Sequence, residues 1–285
     1  MNKSFLRQLA ENPDFISGIH NYCDRWCERC PFTSRCVVYA SEKADEEMDP
    51  EVHDINSAKF WQKLGDTFKE AGEMLAEWAA EAGIDLEAID VEKEMERNRA
   101  DRDRAAADEL SLSARNYAGQ VQRWFEEQFS VERSVHDDNG SATDSLEEDV
   151  SLMDAVEVIR WYEFFIAAKI MRAVMGSYDD DLIEDFDNED IFASENTSAG
   201  MDYEDEPLAI VQDDADGSAK VALIAINRSA SAWRILQRSL PEKTDSIMPI
   251  LAELERLRLL TETSFPRAHD FIRPGFDEEA SRFIS

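Results

Sequence analysis

The chain has 285 residues, with 30 Lys and Arg against 63 Asp and Glu and a formal net charge of −33; so acidic a balance excludes a binder of nucleic-acid backbones, which needs clustered Lys and Arg. Ten Gly and eight Pro are too few turn formers for a many-stranded sandwich or barrel, and an apolar share of 43% with 15 Phe and 6 Trp excludes a wholly unfolded chain. No apolar run reaches the roughly 18 residues of a membrane span, and the opening residues lack a signal-peptide core, so the expectation is a soluble, cytoplasmic protein with neither membrane nor nucleic acid as partner.

The first element in chain order is a cysteine cluster. All four Cys of the chain, Cys23, Cys27, Cys30 and Cys36, fall within 14 residues in a C-x3-C-x2-C-x5-C spacing. A chain of this length in a reducing cytoplasm needs no disulfide staples, so the clustering points to thiolate metal ligands. Residues 15–30 read as a helix that ends at Pro31. On such a helix Cys23, Cys27 and Cys30 share one face with His20 at its edge, and a turn over residues 31–34 returns Cys36 toward them. One zinc ion needs four sulfurs roughly 3.8 Å apart. Thiols spread over two turns of a regular helix do not converge that closely, whereas a cubane iron–sulfur cluster accepts a wider layout. The expected cofactor is therefore a [4Fe–4S] cluster serving as a redox or structural element, with zinc the alternative if the helix breaks early. Four thiolates close the coordination sphere and leave no position for a reactive water.

The stretch Cys23-x3-Cys27-x2-Cys30 is similar to the three-cysteine motif of radical S-adenosylmethionine enzymes over eight residues. That resemblance implies a cluster with one open iron. Here Cys36 would occupy the open position, Arg29 stands where the family carries an aromatic residue, and no repeated βα units follow, so the assignment is not made.

Residues 56–82 carry a strong helical signal. Trp61, Leu64, Phe68, Ala71, Leu75 and Trp78 form one stripe that is expected to be buried, and Gly83 is a stop. Residues 91–108 are mostly charged, with opposite signs three and four apart (Glu94 and Arg97, Arg99 and Asp103), and read as an exposed connecting helix. A second bundle helix follows from Ala107 to about Phe129, and a loop over 135–150 turns at Asn139-Gly140. A third helix, apolar almost all round, is expected from Ser151 or Leu152 to Val174 with Gly176 as its stop. Its charges, Glu157, Arg160, Glu163, Lys169 and Arg172, are read as structural ion pairs, Glu157 with Arg160 first.

Residues 173–219 hold no basic residue, while 16 acids lie between Asp179 and Asp216. Residues 177–216 read as an acidic, disordered insertion that could bind a basic protein partner. A fourth helix runs from about Asp216 to Pro241. A fifth starts at Thr244 or Asp245 and carries Ile247, Ile250, Leu254 and Leu257.

The fold class expected is all-α, a bundle of about five helices. Residues 1–50 form the metal-binding hook packed on the bundle, 51–265 the bundle with its insertion, and 266–285 a tail. The four His, at 20, 53, 136 and 269, never follow an acid by three residues, which excludes a ferritin-like di-iron centre. Asp180-Asp181-Leu182-Ile183-Glu184 matches the DDxxE form that holds magnesium in isoprenoid synthases, but no second metal motif follows. An EF-hand loop before Gly217 also fails, since Gln212 and Leu223 occupy ligand positions. Two functions stand: a metal-binding helical protein carrying an iron–sulfur cluster, or a non-enzymatic acidic adaptor in which zinc holds the hook.

Overall fold

The computed structural model describes residues 12–48, 50–135, 146–185 and 206–277. Among them it is all-α, without strands. The helices are α1 (Val37–Met48), α2 (Ala58–Glu81), α3 (Val91–Ala107), α4 (Glu109–Val135), α5 (Leu146–Asp185), α6 (Glu206–Ser239) and α7 (Thr244–Ser264). The chain divides into two compact units: Met1–Asn98 with Ile272–Ser285, and Arg99–Phe271. The helix bearing the Trp61–Trp78 stripe belongs with the cysteine segment, and the tail is shared between the units.

In the second unit α4, α5, α6 and α7 pack as a four-helix core. Each helix contributes its periodic apolar stripe: Tyr117, Val121 and Phe125 from α4, Ile159, Ile166 and Ile170 from α5, Ile226, Trp233 and Leu236 from α6, and Ile250, Leu254 and Leu257 from α7, all buried. Trp124 meets Trp233 edge to face, ring centroids 5.0 Å apart. Trp233 Nε1 donates to the Tyr117 hydroxyl at 3.3 Å, and that hydroxyl is also hydrogen-bonded to Ser229. Burial pushes the Tyr117 phenol up to about 12, so it stays protonated and able to donate.

Helix starts follow local chemistry. Ser57 accepts from the Lys59 amide at 3.2 Å and caps α2, and Asp108 accepts from the Leu110 amide at 2.9 Å and separates α3 from α4. Gly83, at φ 70°, stops α2 as expected, with the Ile84 amide returning to the Ala79 carbonyl at 2.8 Å.

Gly176 does not act as a stop. Helix α5 continues through it to Asp185, and the glycine lets α6 approach: a Cβ there would lie 3.2 Å from that of Ala215. Close helix contact, rather than termination, accounts for this residue. Helix α6 likewise starts at Glu206, earlier than the expected Asp216. Both flanks of the expected insertion are thus helical backbone, and its centre, 186–205, lies outside the described residues.

Charges of α5 form ion pairs, as a helix this apolar requires. Arg160 reaches Glu163 at 3.1 Å and lies over the Phe125 ring, 3.9 Å from its centroid. Arg172 forms a two-pronged contact with Asp214 at 2.7 and 3.0 Å. Asp216 pairs with Arg267 at 2.9 Å. Lys220 donates to the His269 carbonyl at 3.2 Å and to that of Phe271, which seats residues 267–271 along α6.

Trp233 and Phe164 give a direct test of which faces hold the second unit together, because Trp233 is fully buried whereas Phe164 is 57% exposed. Trp233→Ala should cost about 3–5 kcal/mol and lower that unit's melting temperature by on the order of 10 °C. Phe164→Ala should cost under about 1 kcal/mol. Equal melting of the two variants, read by circular dichroism, would refute the packing described.

Candidate metal centre

Residues 12–36 do not form the continuous helix that their composition suggests. Instead, short 3-10 turns at Ile19–Asn21, Cys27–Arg29 and Thr33–Arg35 are joined by irregular backbone. Two residues break the helix. Gly18 takes φ 70°, which glycine adopts at no steric cost. Arg25 takes φ 59°, a left-handed conformation that disfavours a side chain. An Asx turn supports it, with Asp24 Oδ1 accepting from the Trp26 amide at 3.2 Å.

This broken path folds the segment back on itself. The Ile16 amide donates to the Arg35 carbonyl at 3.0 Å, tying the strand of chain before the cluster to the one after it. The Cys30 amide donates to the Cys27 carbonyl at 3.2 Å and closes the C-x2-C turn. The Phe32 amide then donates to Cys30 Sγ at 3.4 Å. Cys36 ends the last turn immediately before α1, and its carbonyl accepts from the Ala40 amide at 3.0 Å.

Ile19 and Trp26 are the buried anchors, and Arg29 lies over the Trp26 ring at 4.0 Å. The segment 272–277 completes the packing. Phe276 meets Phe32 edge to face at 5.0 Å, and Gly275, at φ 76°, sits so close that a Cβ would fall 2.7 Å from Ile16 Cδ1. A side chain at 275 is therefore excluded both by the left-handed backbone and by contact.

The structure brings all four cysteines, Cys23, Cys27, Cys30 and Cys36, to the wall of one pocket, together with His20, Trp26, Tyr39 and Phe276. The cavity is about 20 Å³, little more than one water-sized body requires. All four residues are free thiols, each partly buried. Burial holds the Cys27 thiol above its ordinary value, with Glu42 and the other three cysteines adding to the effect. Among the described residues, no three His, Cys, Asp or Glu side chains stand close enough to share one ion.

His20 is the site residue whose surroundings the sequence alone did not disclose. Its Nδ1 is buried at the pocket without a hydrogen-bond partner. Desolvation, reinforced by the Arg25 charge, lowers its affinity for a proton. The imidazole is thus held neutral, the form that accepts a hydrogen bond or binds a metal.

The other motifs considered in the sequence are structural or lie beyond description. Asp214 and Asp216 are engaged by Arg172 and Arg267. His269 pairs with Glu262 at 3.2 Å. The side chains of the DDxxE stretch fall outside the described residues, as does His136.

The left-handed Arg25 generates a prediction about backbone strain. Arg25→Gly should hold or raise the stability of the first unit, whereas Arg25→Val should lower it by about 1–2 kcal/mol, because a β-branched side chain fits that conformation worst. Hydrogen exchange at the amides of Cys30 and Phe32 reads the difference. Equal protection in both variants would show that φ at this residue is not constrained.

Compared with protein-family models, with curated proteins and with solved structures, the chain matches none.

Proposed function

We propose that residues 16–36 form a metal centre whose ligands are the thiolates of Cys23, Cys27, Cys30 and Cys36, and that the protein is a helical metal-binding protein built on this hook. The observation that carries the reading is the single pocket that all four thiols line. Ligation requires the side chains to turn into it, and rotation about Cα–Cβ moves a thiol sulfur by up to about 3 Å. One contact at the pocket already suits a thiolate ligand: the Phe32 amide donates to Cys30 Sγ. The neutral His20 beside it leaves a buried nitrogen without a partner.

The broken helix bears on the choice of metal. In a segment of 3-10 turns the thiols are not strung along a regular helix, so their spacing in the sequence allows one tetrahedral ion. The small cavity favours a single zinc ion held by four sulfurs, a closed structural site. The second reading is a [4Fe–4S] cluster. The Cys27-x2-Cys30-Pro31 run supports it, as do the apolar walls supplied by Ile19, Trp26 and Phe276. In either case the metal joins two stretches of chain that share little apolar area, so binding and folding of the hook are coupled. The acidic run between Asp179 and Asp216, two of whose 16 carboxylates (Asp214 and Asp216) are held by Arg172 and Arg267, would attract a basic protein partner through the rest.

Metal analysis of the full chain purified without oxygen decides the occupant. About one zinc per chain and a colourless protein are expected for the first reading. Iron with inorganic sulfide and absorbance at roughly 400 nm identify the second. A chain with neither metal, which also takes up neither on reconstitution, would overturn the proposal.

Cys27→Ser should lose most bound metal. A chelator should unfold the hook while the second unit keeps its melting temperature. Metal content unchanged by the substitution would remove Cys27 from the ligand set.

A further inference from the structure

Helix α2 carries a pattern that the metal centre does not use. Its stripe, Trp61, Leu64, Phe68, Ala71, Leu75 and Trp78, alternates steps of three and four, the a/d seam of a coiled coil over two and a half heptads. Such a stripe is expected to be covered. Yet Trp61 is 58% exposed, Phe68 70%, Leu75 54% and Trp78 57%. Aromatic side chains offer about 150–250 Å² each, so the open stripe amounts to on the order of 400–500 Å² on one helix. That is the size of a monomer's largest apolar patch, which is often a functional surface.

We propose that the occupant of this face is a second copy of the same chain, with the two α2 helices paired antiparallel. The charge order along the helix supports this choice. The first half, 58–69, carries Lys59, Lys63 and Lys69 against Asp66, a sum of 3 − 1 = +2. The second half, 70–81, carries Glu70, Glu73, Glu77 and Glu81, a sum of −4. Parallel pairing sets +2 against +2 and −4 against −4. Antiparallel pairing sets +2 against −4 at both ends, and it also aligns the helix dipoles favourably.

The side chains fit the same register. With the two-fold axis between Lys69 and Glu70, Trp61 meets Trp78 of the second copy, Leu64 meets Leu75, and the large Phe68 meets the small Ala71. Every a position then faces a d position, as an antiparallel seam requires. Gly65 faces Gly72 of the second copy on the adjoining flank. Nothing lies within 4 Å of the Cβ position of either glycine, and mid-helix glycines that cost about 1 kcal/mol each are accounted for if the two backbones approach closely there.

Two copies would cover on the order of 1,000 Å² in all, the lower limit for a specific interface. An anionic membrane is the poorer occupant, because the polar face holds five acids against three lysines in a chain of net charge −33.

Sedimentation equilibrium of the full chain from about 1 to 100 µM should show a reversible monomer–dimer equilibrium. Phe68→Glu should weaken it by about 30-fold or more while leaving the melting of the second unit unchanged. Orientation is read from spin labels attached through a non-natural amino acid, which leaves the cysteines alone. Labels at Glu70, beside the axis, should lie about 10 Å apart, and labels at Ala80 about 30 Å apart. A monomer at every concentration overturns the proposal, as does a dimer unaffected by Phe68→Glu. Short distances at both positions would mean parallel pairing and would overturn it equally. So would a monomer whose α2 amides are protected from exchange, or one that binds anionic vesicles instead.

Discussion

Apolar side chains repeating at helical spacing leave water only by meeting another surface like their own, and in this protein the burial of Trp233 shows what that achieves. The indole of α6 packs against α4, touches Trp124 and Phe125, and gives its N–H to the Tyr117 hydroxyl. A buried indole without an acceptor would cost about 1–3 kcal/mol. The Tyr117–Ser229 pair removes that cost and ties α4 to α6 through polar atoms as well as through packing. The same contact sets how the remaining stripes register, since a wrong rotation of α6 would bury its charged face instead.

Electrostatics shape the rest of the second unit. A chain with twice as many acids as bases cannot give every carboxylate a cation, so the cations are placed where carboxylates lose water. Glu163 is 2% exposed and is met by Arg160. Asp216 is 6% exposed and is met by Arg267. Exposed acids stay hydrated and need no such partner. Glu163 nevertheless keeps one buried oxygen without a hydrogen bond, a cost that the bundle carries within its core.

The cysteine hook is built on different physics. It has few buried apolar groups, chiefly Ile19 and Trp26, and its path depends on two residues at positive φ. Backbone bonds such as Ile16 to Arg35 hold its ends together, but such bonds contribute only about 1 kcal/mol each. On the proposed reading, one metal bound by four sulfurs would replace a core that the segment is too short to form.

The sequence by itself marked most of the helices and the cluster of four cysteines. Apolar periodicity marked α2, α4 and α7, and charge alternation marked α3, because both requirements act within a few residues along the chain. Four cysteines in 14 residues marked the hook for the same reason. Only the tertiary structure decided what each local signal was for. Gly176 reads as a helix stop, yet α5 runs through it because Ala215 packs there. Residues 15–30 read as a helix, yet Arg25 is left-handed, because a folded-back hook rather than intrinsic propensity sets its backbone. The Trp61–Trp78 stripe reads like the stripes of α4 and α7, and only packing separates the exposed one from the buried ones. Periodicity states that a face is apolar. Which surface covers it depends on residues distant in the chain, and no local pattern carries that information.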